Sequence, residues 1–215
     1  MNKFSETNIK WLQDNGYVTE EGRVDFSDRF IAILSKTSRR GNSLKAPCHA
    51  IHEHGLIPKP MLPASKDMTW DEYHDPKCIT SKMKRLGKEF AKRFNINYEK
   101  VYESDFPLLL KKDILDVGGY AWPNPINGEY PRVDYRPNHA FIIYKPQYFA
   151  FDNYIDSVDG DFIKKLAPDY DFLDYAYRIY ISKERQVIKE DWFTQLIRML
   201  REAGYKVGSK FKKLC

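Results

Sequence analysis

Apolar positions recur at helical spacing up to about Asn95 and in short alternating runs after it. Phe4, Ile9, Trp11 and Leu12 give Phe4 to Asn15 an apolar face, with Gly16 placed to cap that helix. Ser27 suits the N-cap of a short helix from Asp28 to Leu34, and Asn42 or Ser43 can start the next, Leu44 to His54, which Gly55 ends. Pro58, Pro60 and Pro63 exclude regular helix, so Leu56 to Ala64 is expected to be an extended surface connection. Thr69 to His74 and Ile79 to Phe94 return to helical pattern, the second carrying Met83, Leu86, Phe90 and Phe94 on one side and many basic residues on the other.

The later runs are rich in aromatic and branched residues: Tyr98 to Tyr102, Ile114 to Trp122, His139 to Tyr144, Tyr148 to Asn153 and Tyr175 to Ile181. They predict strands of an antiparallel sheet, with Lys145-Pro146-Gln147 as the turn of a hairpin. Helices first and sheet second give an α+β class, not alternating βαβ units. Lys189 to Ala203 is a predicted amphipathic helix, with Trp192, Leu196, Met199 and Leu200 on one face, followed by a short basic tail. The division expected is 1–183 for the main domain and 184–215 for the basic helix and tail.

Composition narrows the class. With 215 residues the chain can bury a core without staples, and 42% hydrophobic content excludes a disordered chain. No stretch nears the roughly 20 apolar residues of a membrane span, and Met1 to Lys10 has no apolar signal core. The expectation is a protein without membrane or signal peptide, in the cytoplasm or associated with a virion. Three cysteines, Cys48, Cys78 and Cys215, form no regular framework, which fits a reducing compartment. From Lys183 onward nine Lys or Arg face four Asp or Glu, which accounts for the whole net charge of +5. That tail is a candidate surface for an anionic partner.

Among five histidines, His139 opens a strand, and the next strand ends in Asp152-Asn153. A hairpin would bring the strand ends together, letting an amide or carboxylate orient the imidazole. A strand-end histidine and a turn asparagine with no chemical role are the bland alternative. Cys48-x-x-x-His52 and His74-x-x-x-Cys78 each place two metal-ligand types one helical turn apart. Their spacing is that of no standard zinc module, and no metal or other cofactor is expected. Asp169, Asp171 and Asp174 lack the glycine and glutamate of a calcium loop. Trp122 either lines a cleft near His139 or belongs to the core.

Four segments in order resemble the papain-like cysteine peptidases over nearly the whole chain. Asn138-His139-Ala140 is similar to that family's catalytic histidine segment, and Tyr148-Phe-Ala-Phe-Asp152-Asn153 to the strand that delivers its asparagine. Phe26-Ser27-Asp28-Arg29-Phe30 resembles a left-lobe helix start. Gly41-Asn42-Ser43, with the helix, Gly55 and prolines after it, resembles the glycine-pair loop, helix and proline turn. The resemblance implies a two-lobe fold, helical lobe first and antiparallel sheet lobe second, with a peptide or protein ligand in the cleft between them. His139 would be the acid and base, and Asn153 the orienting residue, with Asp152 as the alternative. Gly41, Asn42, Ser43, Asn138 and Ala140 would hold substrate.

By the same resemblance the family's central helix opens Cys-x-x-Phe-Ser, where this chain reads Met1-Asn2-Lys3-Phe4-Ser5. Met1 stands at the nucleophile's position, and a thioether cannot become a thiolate. The function implied is peptide-bond hydrolysis by Cys-His-Asn, with the nucleophile supplied by a preceding segment or a second chain and no activity from these residues alone. The alternative is a catalytically dead papain fold kept for binding or structure. The compact lysine- and aromatic-rich style resembles bacteriophage or uncultured bacterial proteins. Cys48, Cys78 and Cys215 are poor substitutes for the nucleophile, Cys48 because it lies inside a helix.

Overall fold

The computed structural model describes residues 6–120, 122–133, 138–152 and 162–181. Six α-helices and a six-stranded sheet make these residues an α+β structure: α1 Glu6–Asp14, α2 Asp28–Leu34, α3 Lys45–His54, α4 Trp70–Tyr73, α5 Ser81–Phe94, β1 Ile96–Tyr102, α6 Phe106–Leu109, β2 Leu115–Gly119, β3 His139–Ile143, β4 Phe149–Phe151, β5 Ile163–Lys165 and β6 Tyr175–Ile181. Every pairing is antiparallel, in the order β1-β6-β2-β3-β4-β5. The predicted helix within 184–215 lies outside the described residues. Among the described residues no helix is long and apolar enough to cross a membrane.

Local chemistry sets the helix ends. Ser27 caps α2 by accepting from the Phe30 amide, while its own hydroxyl donates to the Leu62 carbonyl at 2.7 Å. Thr69 and Glu72 form a reciprocal capping box on α4. On α5, Met83, Gly87, Phe90 and Phe94 are buried on one face, and Asn95 ends the helix in the left-handed region. Phe90 and Phe94 pack with Leu12, Tyr17 and Ile96, joining α1 and α5 to the first strand.

The connection from Leu56 to Ala64 departs from the sequence expectation. It contains a 3-10 turn at Lys59–Met61, and Ile57 and Leu62 are buried beside Phe30, Ile33 and Met83. The prolines exclude helix as expected, but Ile57 and Leu62 supply apolar surface that only the core can cover. Two short elements were not predicted. α6 begins at Phe106 with Pro107 in its first turn, a position proline tolerates. β5 is one of the two edge strands of the sheet and pairs with β4.

Arg29, 6% exposed, ties three segments to α2. Its guanidinium donates to the carbonyls of Pro63 (3.3 Å), Glu72 and Tyr73 (2.9 Å) and to the Cys78 sulfur (3.4 Å). A buried cation satisfied by several acceptors fixes geometry at a desolvation cost.

α3 and α5 approach so closely that their backbones touch. A Cβ built on Gly87 would overlap the His54 carbonyl oxygen, and one on Gly55 would overlap the Gly87 carbonyl. Gly87→Ala is therefore expected to lower stability by about 1 to 3 kcal/mol, the range for overpacking a closed contact. Urea unfolding followed by circular dichroism measures this, and an unchanged midpoint would contradict so close a crossing.

Candidate active site

The β3–β4 hairpin turns through Lys145 to Tyr148, where the Tyr148 amide donates to the Lys145 carbonyl at 2.8 Å and Tyr148 takes a positive φ. Ile143 pairs with Ala150 and Ile142 with Phe151, so the next residue, Asp152, falls opposite Phe141. Side chains alternate across a strand, and His139 therefore shares a face with Phe141 and Asp152. His139 Nε2 lies 2.8 Å from Asp152 Oδ2. The imidazole keeps 18% of its surface exposed and the carboxyl side chain 1%.

Trp122 completes the cluster. Its indole N–H donates to the same Asp152 oxygen, and its ring lies 5.8 Å from the imidazole, edge to face. Phe141 and Tyr130 flank the indole at 4.8 and 5.4 Å. Lys164, on β5 and fully buried, holds its ammonium 5.3 Å from the indole ring centre. The Asp152 amide donates to the Phe162 carbonyl at 3.0 Å, anchoring the strand end.

A carboxylate only accepts, so Nε2 carries the hydrogen of that bond and Nδ1 is the ring nitrogen on the other side. Asp152 Oδ1 is buried without a hydrogen-bond partner among the described residues. The cluster can orient an imidazole and fix its tautomer.

Asp152, named in the sequence as the alternative orienter, is the residue that the register carries to His139; Asn153 and Met1 lie outside the described residues. Asn138 extends the β2–β3 ladder by donating its amide to the Gly119 carbonyl at 2.9 Å. Ala140 is exposed, on the sheet face opposite His139. Gly41, at positive φ, closes a tight turn with Ser38. The Asn42 amide donates to the Ser35 carbonyl (3.1 Å) and to the hydroxyls of Ser35 and Thr37 (3.0 Å each), and its oxygen accepts from the Ser43 amide at 2.9 Å. These bonds hold the 41–43 loop to the end of α2 and leave its relation to His139 unbridged by any of them.

Cys48 is 1% exposed beneath Tyr177, and its thiol donates to the Leu44 carbonyl at 3.3 Å. Burial, with the charge of Asp116 adding to it, pushes that thiol up to about 12, which keeps it protonated and unreactive at neutral pH. The two Cys/His pairs do not converge. His52 bonds the Ile96 carbonyl at 2.7 Å, His74 the Trp70 carbonyl at 3.0 Å, and Cys78 belongs to the Phe30 cluster. Among the described residues no three His, Cys, Asp or Glu side chains are grouped to hold a metal ion. Cys215 lies outside the described residues.

Sequence reasoning passed over Lys164, whose neighbours Ile163 and Lys165 are exposed, and Asp116, which sits in β2 among apolar residues. An acid inside a strand flanked by Leu115 and Val117 was the available signal. Comparison with protein-family models, with curated proteins and with solved structures gives no match to this chain.

Burial raises the Asp116 carboxyl from about 4 to about 7. A raised acid favours the folded state in its protonated form, so its contribution is full below about pH 4 and is lost as pH rises to about 7. Asp116→Asn is expected to match the parent near pH 4 and to exceed it near pH 8, by up to about 4 kcal/mol. Urea midpoints across that range measure the difference, and a gap independent of pH would refute the assignment.

Proposed function

We propose that His139 and Asp152 are the acid–base residue and its orienting partner in a papain-like cysteine peptidase site. The observation that carries this reading is the 2.8 Å contact between a partly exposed imidazole and a carboxylate sealed from solvent. Buried partner and accessible base are the arrangement that a proton-transfer histidine needs. The two-lobe division of the family belongs to the same proposal, as does its peptide or protein substrate.

The thiol would stand at the position that Met1 occupies by resemblance, supplied by a preceding segment or a second chain. Its thiolate would attack the peptide carbonyl carbon. As the carbon–nitrogen bond broke, His139 would give its Nδ1 proton to the leaving amine. Water would then hydrolyse the thioester, with His139 taking the water's proton and the sulfur leaving as thiolate. A second reading, a papain-like fold without catalysis, is favoured by the burial and high pKa of Cys48, which exclude it as an internal substitute.

Met1→Cys, placed behind a short glutamine-containing leader, separates the two. The peptidase reading expects a thiol-reactive peptide inhibitor to label position 1 in the folded protein, with His139→Ala slowing labelling by about 100-fold or more and Asp152→Ala also slowing it. Undiminished labelling in the His139→Ala variant would overturn the assignment, and loss of labelling after unfolding in urea controls for simple thiol reactivity.

A further inference from the structure

A cleft of about 580 Å³ opens in the helical part of the chain, lined by residues of α2, α3, α5 and the segments between them. None of its lining residues belongs to the His139 cluster. Its walls divide by chemistry. Ala32, Ile33, Leu34 and Ile79 supply apolar surface, with Ile33 and Ile79 each 9% exposed. Lys36, His54, His74 and Lys84 supply every ionisable group in the lining, and none is acidic. A concave volume of this size, with apolar walls and a few polar groups in its lining, is the setting of a small-molecule site.

We propose that this cleft binds a phosphate monoester, with the phosphoryl group among Lys36, His54, His74 and Lys84 and a compact apolar or aromatic body against Ile33 and Ile79. Four donors from four stretches of chain suit an anion with three terminal oxygens better than a planar carboxylate with two. His74 bonds the Trp70 carbonyl through Nδ1, so Nε2 is its ring nitrogen for a ligand. Trp70 stacks on that ring at 3.8 Å and holds its plane.

Two features would oppose an anion, and both are locally occupied. The end of α2 presents carbonyls, but those of Ala32 and Ile33 accept from the Thr37 and Lys36 amides. Asp71, Glu72 and Asp75 line an adjoining groove. Asp71 pairs with Arg39 at 3.0 Å, Glu72 accepts from the Thr69 amide and hydroxyl, and Asp75 accepts from the Lys77 amide. His54 is held below its ordinary value chiefly by burial; the Glu53 charge opposes this, and Lys88, His49 and Lys84 reinforce it. It therefore has charge to gain when an anion arrives.

Titration of the whole chain with phenyl phosphate, inorganic phosphate and benzoate, followed by NMR and calorimetry, tests the inference. One saturable site is expected, taking phenyl phosphate about tenfold more tightly than inorganic phosphate because of the apolar wall. Benzoate should be weaker than phenyl phosphate by a similar factor. His54→Gln with Lys84→Ala, and separately His74→Gln, should each weaken phenyl phosphate at least tenfold, while Lys82→Ala, outside the cleft, leaves it unchanged. No saturation below about 10 mM, equal binding of benzoate, or affinity untouched in folded variants would each overturn the inference. An unfolded double variant transfers the decision to His74→Gln, read against the parent's thermal midpoint.

Discussion

The contact between Gly55 and Gly87, where no Cβ fits on either backbone, sets the position of α3, which packs against both α5 and the sheet. On one side α3 is pressed to α5, with Phe30 filling the space next to Gly87. On the other, Leu44 and Cys48 pack onto Tyr177 of β6, with Tyr98 and Ile179 beside them. β6 pairs with both β1 and β2, and β2 in turn carries β3, whose first residue is His139. A shift at the crossing would therefore reach the site through packed backbone and not through flexible loops.

Among the described residues, buried charge occurs at a few places with different solutions. Arg29 is satisfied by backbone carbonyls and one sulfur, so it works as a fixed clamp between α2 and the 63–78 region. Asp152 receives the Trp122 indole and the His139 imidazole on a single oxygen. Lys164 lies against the faces of Trp122 and Tyr130. One indole thus touches a buried carboxylate through its N–H and a buried ammonium through its ring, using the two polar features an indole has. Leaving such groups without their partners would cost far more than a surface ion pair is worth.

Much of this was legible where a local signal and its tertiary setting agree. Ser27 before an apolar run defined α2 to the residue, and the alternation from Tyr175 to Ile181 defined β6. The hairpin was visible because Lys145-Pro146-Gln147 separates two aromatic runs, and it sufficed to bring the end of β4 towards His139. Local signals failed where burial decides. Prolines marked 56–64 as extended, but not that Ile57 and Leu62 would be drawn into the core. β5 has three residues with a lysine at its only buried position, so its alternation is inverted relative to the pattern that marks a strand. That Asp152 shares a face with His139 required a register, which no composition or motif supplies.

Exposure distinguishes a catalytic reading of the His139 cluster from a purely structural one. A clasp that only joined β3 to β4 would be served best by two shielded partners, since water competes for any exposed donor. Here the two partners differ: the carboxyl side chain is 1% exposed, while the imidazole keeps 18% of its surface exposed. The indole N–H adds a second donor to the oxygen that already receives Nε2, and its ring meets the imidazole edge to face. Stabilising charge on the inner partner while leaving the outer one accessible benefits proton transfer and adds little to packing. That asymmetry ties the acid–base proposal to these particular side chains, independently of which chain supplies a thiol.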